Sequence, residues 1–243
     1  MSTDDISSLE NINKKVLTMK LLTSTLGQKF LTAATAFFLV FFSITHLAGN
    51  LSLLSRDSTP FNMYAAKLAS FGGLLYIAEA GLAATFLLHI VVAVLLRRRA
   101  SAARPQGYAM TRTKGGPSKS GFSSKYMIVS GLILTIFLII HIKHFKFGPG
   151  IEEGYVVDLA GSTERDLYRW VIESFQNPLF VAWYAFAMIF LGLHLKHGIW
   201  SIFQSLGVNG PRMTKPLYAG GVVLAILIAG GFALIPILVY LRG

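Results

Sequence analysis

Five stretches of this chain are too long and too poor in charge to face water, and no other feature limits the fold as strongly. They run from about 30 to 54, 71 to 96, 125 to 146, 178 to 203 and 217 to 241. A helix crosses the hydrocarbon core of a bilayer with about 20 residues, at ~1.5 Å of rise per residue. All five stretches meet that length. The third does so only if Lys143 and Lys146 carry their charged ends out to the interface. Only 14% of the 243 residues are charged and 53% are hydrophobic, too little charge for the surface of a soluble domain of this size. The expected fold is an all-α membrane protein, with 1–243 as one integral domain of five spanning helices. A polar stretch of almost thirty residues precedes the first span, whose apolar part is too long for a cleavable signal.

The loops orient this bundle. Between the second and third spans, 97–124 and Lys125 form a basic loop with eight Lys and Arg residues and no acid. Between the third and fourth, 147–177 carries Glu152, Glu153, Asp158, Glu164, Asp166 and Glu173 against Arg165 and Arg169. Basic loops are retained on the cytoplasmic side. The N-terminus, with Lys14, Lys15, Lys20 and Lys29, is therefore expected in the cytoplasm and the C-terminus outside. The net charge of +11 has the same origin, so no nucleic-acid partner is expected. Near the end of the acidic loop, STERDLYRWVIESFQNP reads as an amphipathic interfacial helix with Trp170 as an anchor.

The chain has no cysteine, which excludes thiolate-held iron–sulfur clusters, c-type haem and disulfides within it. All six histidines lie in or at the rim of the spans: His46, His89, His141, His144, His194 and His197. Ionisable side chains at that depth are costly and mark function. Counted from the cytoplasmic boundary, His46 and His141 lie at one depth, with His89 and His194 about eight residues, or ~12 Å, closer to the cytoplasm. Each level offers two imidazoles from different helices, the ligand set of a bis-histidine haem. The expected cofactors are thus two b haems, the bundle enclosing both, with His46 and His141 on the distal one and His89 and His194 on the proximal one. His144 and His197, three residues beyond a ligand, are candidates to contact haem propionates or to replace that ligand. Ala48, Gly49, Gly192 and Gly198 would let a porphyrin approach the helices. Phe37, Phe38, Phe41 and Phe42 would line it or simply pack. Glu79, the one carboxylate inside a span, falls near the distal level and is a candidate proton exchanger for a quinone, with Tyr76 one turn away. At the cytoplasmic rim, Lys29, Arg97, Arg98 and Gln204 are within reach of propionates but are not assigned to them.

ITHLAGNL, FLLHIVVAVL, FLIIHIKHFKF and LGLHLKHGIWSIFQSLG, one in each of the first four spans, resemble the b558-type cytochrome b anchor of succinate dehydrogenase and fumarate reductase. The likeness covers nearly the whole chain, and His194 to Trp200 and His46 to Asn50 are its most specific runs. The resemblance implies a multi-pass subunit of the bacterial cytoplasmic membrane. A flavoprotein subunit with FAD and an iron–sulfur subunit would dock on its cytoplasmic face, within a complex that can form higher oligomers. It implies electron exchange between that partner and a quinone at the distal side, menaquinone being common with such anchors, in a complex where the succinate chemistry lies on another chain. Some fumarate reductases of this type carry an acid two residues before the fourth span's ligand. Here that residue is Gly192, which puts the associated proton route in doubt. A hydrogenase or formate dehydrogenase cytochrome b is the nearest alternative, and a histidine-containing membrane transporter is the alternative from another class.

Overall fold

The computed structural model describes residues 24–103, 126–208 and 210–243. Lys14, Lys15 and Lys20, and 104–124 of the basic loop, lie outside the described residues. Among the described residues seven helices follow in order: α1 (Thr25–Asn50), α2 (Thr59–Ala69), α3 (Gly73–Ala102), α4 (Met127–His141), α5 (Leu167–Ser174), α6 (Pro178–Ser205) and α7 (Thr214–Leu241). A 3-10 turn (Leu51–Leu54) extends α1 and a π turn (Ile142–Lys146) extends α4. With those extensions α1, α3, α4, α6 and α7 are long and apolar enough to cross a membrane, in the five places that the charge-poor stretches predict.

Helix ends follow local chemistry. Ser24 caps α1 by accepting from Gly27 N at 3.0 Å. Asn177 caps α6, whose first residue, Pro178, has no N–H to satisfy. At the centre of the bundle, α1 and α6 form the spine and pack on each other. Around them, α3 lies on α1, α4 lies on α6, and α7 covers both spine helices. No extensive contact joins α3 to α4, so these four helices form a square with one open edge. The consequence shows in burial: 28% and 33% of the apolar windows of α6 and α7 are buried, against 6% for α3 and α4. Gly192 lets α7 approach α6, because a Cβ there would lie 3.3 Å from Ala229 Cβ.

The acidic loop differs from the expected single helix. Ser162–Arg165 pairs as β2 with β1 (Val156–Leu159) in an antiparallel hairpin, and the helix begins only at Leu167. Both turn residues, Ala160 and Gly161, have positive φ (54° and 87°), as a two-residue hairpin turn with the right twist requires. The side chain of Arg165 donates to the Pro149 and Phe145 carbonyls at 2.8 and 3.0 Å. Trp170 donates to the His144 carbonyl at 3.0 Å. Trp170 is therefore turned inward, onto the end of α4, rather than anchoring a free interfacial helix. On the exposed side of α5, the Tyr155 hydroxyl and Arg169 guanidinium both donate to Glu173 at 2.6 and 2.7 Å. They hold its carboxyl below the usual carboxylate range.

Asn62 ties α2 to α5. It is fully buried, its Nδ2 donates to Asp166 Oδ1 at 2.8 Å, and its Oδ1 accepts from Tyr168 N at 2.9 Å. Beneath this link Leu53, Phe61, Val171, Phe175, Tyr184 and Val239 pack into one core. Asn62→Leu leaves the Tyr168 amide and the Asp166 carboxylate without their buried partner, at a cost of ~1–3 kcal/mol. The expected outcome is a lower Tm and faster proteolysis between 150 and 175. An unchanged cleavage rate would mean that the cap is held by apolar packing alone.

Candidate functional site: two imidazole pairs on the diagonals of the bundle

The first four spans each place one histidine in the square, and the pairs form across its diagonals. His46 on α1 faces His141 on α4, with ring centres 5.9 Å apart and planes at 88°. His89 on α3 faces His194 on α6 at 6.4 Å and 65°. These are the pairs expected from depth counting. All four rings are half-buried. An imidazole nitrogen binds a transition metal at about 2.0–2.1 Å, so two imidazoles on opposite sides of one metal have ring centres about 6 Å apart. Both pairs have that spacing, so His46 with His141, and His89 with His194, could each hold one metal ion between two imidazoles.

Partners around the rings leave one nitrogen of most of them available. Thr35 Oγ1 lies 3.1 Å from His89 Nδ1 and Ser130 Oγ lies 3.1 Å from His194 Nδ1. The Tyr184 hydroxyl lies 3.0 Å from His141 Nδ1. In these three rings Nε2 is the nitrogen left to offer. His46 differs: Asn50 Nδ2 donates to its carbonyl at 2.8 Å and stands 3.4–3.5 Å from both ring nitrogens. Phe42 stacks on the His46 ring at 5.2 Å, Phe232 of α7 stands 5.7 Å from it, and Phe137 stacks on His141 at 5.6 Å.

These hydroxyls also measure the separation of the levels. Thr35, at the His89 level, is eleven residues from His46 on α1, and Ser130, at the His194 level, is eleven from His141 on α4. On α6, Tyr184 and His194 are ten apart. The pairs are thus separated by about 15–17 Å of helix, more than the eight residues and ~12 Å counted from the span boundaries.

Several expected contacts are rearranged. His144 does not replace His141: the π turn carries it to α5, where Nε2 meets Ser174 Oγ at 2.9 Å and its ring stacks on Trp170 at 4.8 Å. His197 is half-buried on α6 about one turn beyond His194. A Cβ on Gly49 would run into the Tyr64 ring, so Gly49, like Gly192, serves helix packing. Gly131 is the glycine beside a paired ring, its Cβ position 3.7 Å from His194 Cε1. Phe37, Phe38 and Phe41 are more than half exposed, and of these three and Phe42 only Phe42 stacks on an imidazole.

Glu79 and Tyr76 come together through a residue that sequence reading treated only as a snorkelling end. Lys146 Nζ lies 2.5 Å from Glu79 Oε1 and 5.5 Å from the centre of the Tyr76 ring. This group bridges α3 and the end of α4 at the mouth of the open edge, toward the acidic end. Glu79 is ten residues from His89 on α3, ~15 Å of helix, and so stands level with the His46–His141 pair. Compared with protein-family models, curated proteins and solved structures, the chain matches none.

The Glu79 and Lys146 side chains are 38% and 40% exposed, and a pair so exposed contributes only about 0–1 kcal/mol. Lys146→Met should therefore move Tm by no more than about 4 °C, measured by thermal scan in detergent. A larger drop would make the bridge a structural clamp between α3 and α4.

Proposed function

We propose that this chain is the dihaem cytochrome b anchor of a succinate:quinone oxidoreductase, carrying electrons between an iron–sulfur subunit on its basic side and membrane quinone near its acidic end. One observation carries the reading: two imidazole pairs at ring distances of 5.9 and 6.4 Å, on opposite diagonals of one bundle, three helical turns apart. A b haem at each level supplies one-electron transfer. His46 and His141 hold the distal group, and His89 and His194 the proximal one. Apolar spans exclude water from both. Glu79 holds or releases a proton at its carboxylate beside the open edge, where a quinone enters from lipid, and Lys146 and Tyr76 orient the quinone oxygen. The basic loop, with Arg97–Arg99 at the end of α3, faces the cytoplasm and the iron–sulfur and flavoprotein partners. Position 192 is a glycine and offers no carboxylate, which puts the proton route through an acid at that position in doubt.

The transporter alternative fits less well. A cation taken from water and held inside protein needs about four ligands. Among the described residues no three His, Cys, Asp or Glu side chains gather as a metal cage; the imidazoles stand in twos. A hydrogenase or formate dehydrogenase cytochrome differs in its partner, so copurification of a flavin-bearing subunit supports the proposal and a nickel or molybdenum subunit overturns it.

Purified chain should show a Soret band and two haem components in redox titration. His46→Ala and His141→Ala should remove one component, and His89→Ala and His194→Ala the other. Loss of the same component from His46→Ala and His89→Ala would overturn the pairing, and a fully folded chain without haem absorbance would overturn the function. Separately, Glu79→Gln should slow quinone turnover by ~10²-fold with both haem components retained. Unchanged turnover would return Glu79 to a purely structural pairing with Lys146.

A further inference from the structure

We infer that Thr35 and Ser130 are positioning residues that lock His89 and His194 in the tautomer able to bind metal through Nε2, whereas the His46–His141 pair has no such lock. A hydroxyl has one hydrogen and two lone pairs. Thr35 Oγ1 lies 2.8 Å from the Leu31 carbonyl and 3.1 Å from the Thr32 carbonyl. Carbonyls only accept, so the Thr35 hydrogen is committed along α1. What remains to face His89 Nδ1 at 3.1 Å is a lone pair, with the Thr32 backbone a second partner of the same ring. Nδ1 must then carry the proton and donate it, which leaves the lone pair of the neutral ring on Nε2. Ser130 repeats this on α4: its hydroxyl donates to the Met127 carbonyl at 2.9 Å and presents a lone pair to His194 Nδ1 at 3.1 Å.

The other pair lacks this arrangement. Tyr184 OH has His141 Nδ1 as its one hydrogen-bond partner among the described residues, so it can donate or accept. Asn50 meets the His46 ring with an amide NH₂, a donor, over both nitrogens. The two levels thus share a ligand set and differ in what stands behind it. An acceptor on Nδ1–H also raises the basicity of Nε2, which favours the oxidised form of a metal bound there.

The consequence for haem rests on the proposed function; the tautomers are a property of the chain itself. The experiment is a redox titration of the purified, haem-loaded protein carrying Thr35→Val or Ser130→Ala. Thr135→Val and Thr85→Val serve as controls, because those hydroxyls make the same bond to a carbonyl one turn back but touch no imidazole. Each test variant should raise the potential of the component that His89→Ala removes, by up to tenfold in its oxidised-to-reduced ratio, or about 59 mV for one electron. The second component should stay in place. Where a variant instead loses that component, Thr35→Ser or Ser130→Thr, which keep the acceptor, should restore it. Equal shifts of both components, no shift, or the same shift from the controls would overturn the lock. If the wild-type chain binds no haem, the proposed function fails. The lock is then judged by ¹⁵N NMR of histidine-labelled full-length chain in bilayers. A single Nδ1–H tautomer at His89 and His194 that becomes mixed in Thr35→Val and Ser130→Ala upholds it, and mixed tautomers in the wild type overturn it.

Discussion

Every imidazole in this bundle must find a partner, because hydrocarbon offers none and an unmet polar group there costs several kcal/mol. That requirement organises the architecture. Three of the four paired rings take a hydroxyl from another helix: Thr35 on α1 for α3, Ser130 on α4 for α6, and Tyr184 on α6 for α4. Each such bond also ties two helices of the square together. The polar groups that define the candidate site thereby fix the packing of helices whose apolar surfaces alone would slide freely in lipid.

The same bonds explain why α3 and α4 can stand apart. Each is held to the spine by its own hydroxyl–imidazole contact, α3 through Thr35 and α4 through Ser130 and Tyr184, so no direct contact between them is needed. The edge left open is bridged at one end by Glu79 and Lys146. A weak, half-exposed ion pair is well suited there: it closes the gap electrostatically and yields to a ligand without unfolding anything. Under the proposed reading, this is where lipid-borne quinone would meet a proton-exchanging carboxylate at the level of the distal pair.

Much of this was legible in the sequence, for definite physical reasons. Charge-free length locates spans because ions are excluded from hydrocarbon, and all five were found. Depth matching found the His46–His141 and His89–His194 pairs because helices crossing a common slab share its coordinate. What escaped were interactions whose residues carry no distinguishing mark. Thr35 and Ser130 look like any hydroxyl that bonds back along its own helix, as Thr85 and Thr135 do; only the neighbouring helix makes them different. Gly49 and Gly192 were read as room for a cofactor, and the structure sets Tyr64 and Ala229 over them. The hairpin was hidden because its turn is Ala160-Gly161 rather than Asn-Gly. His144 was misplaced because a π turn breaks the three-residue spacing on which face assignment depends.

The eleven-residue interval is close to a whole number of helical turns. At ~100° per residue, eleven residues rotate a helix by about 1,100°, within ~20° of three full turns. One face of α1 therefore presents Thr35 to the basic-end pair and His46 to the acidic-end pair, and one face of α4 presents Ser130 and His141 in the same way. Each of these helices supplies a hydroxyl at one level and a paired imidazole at the other, so neither level can be adjusted alone. Inserting one residue between Thr35 and His46 would turn His46 by ~100° out of its pair while leaving Thr35 behind His89. A continuous helix, rather than any loop, thus holds the two levels in register, and the charge-free spans that place the chain in a bilayer also set the geometry of its candidate site.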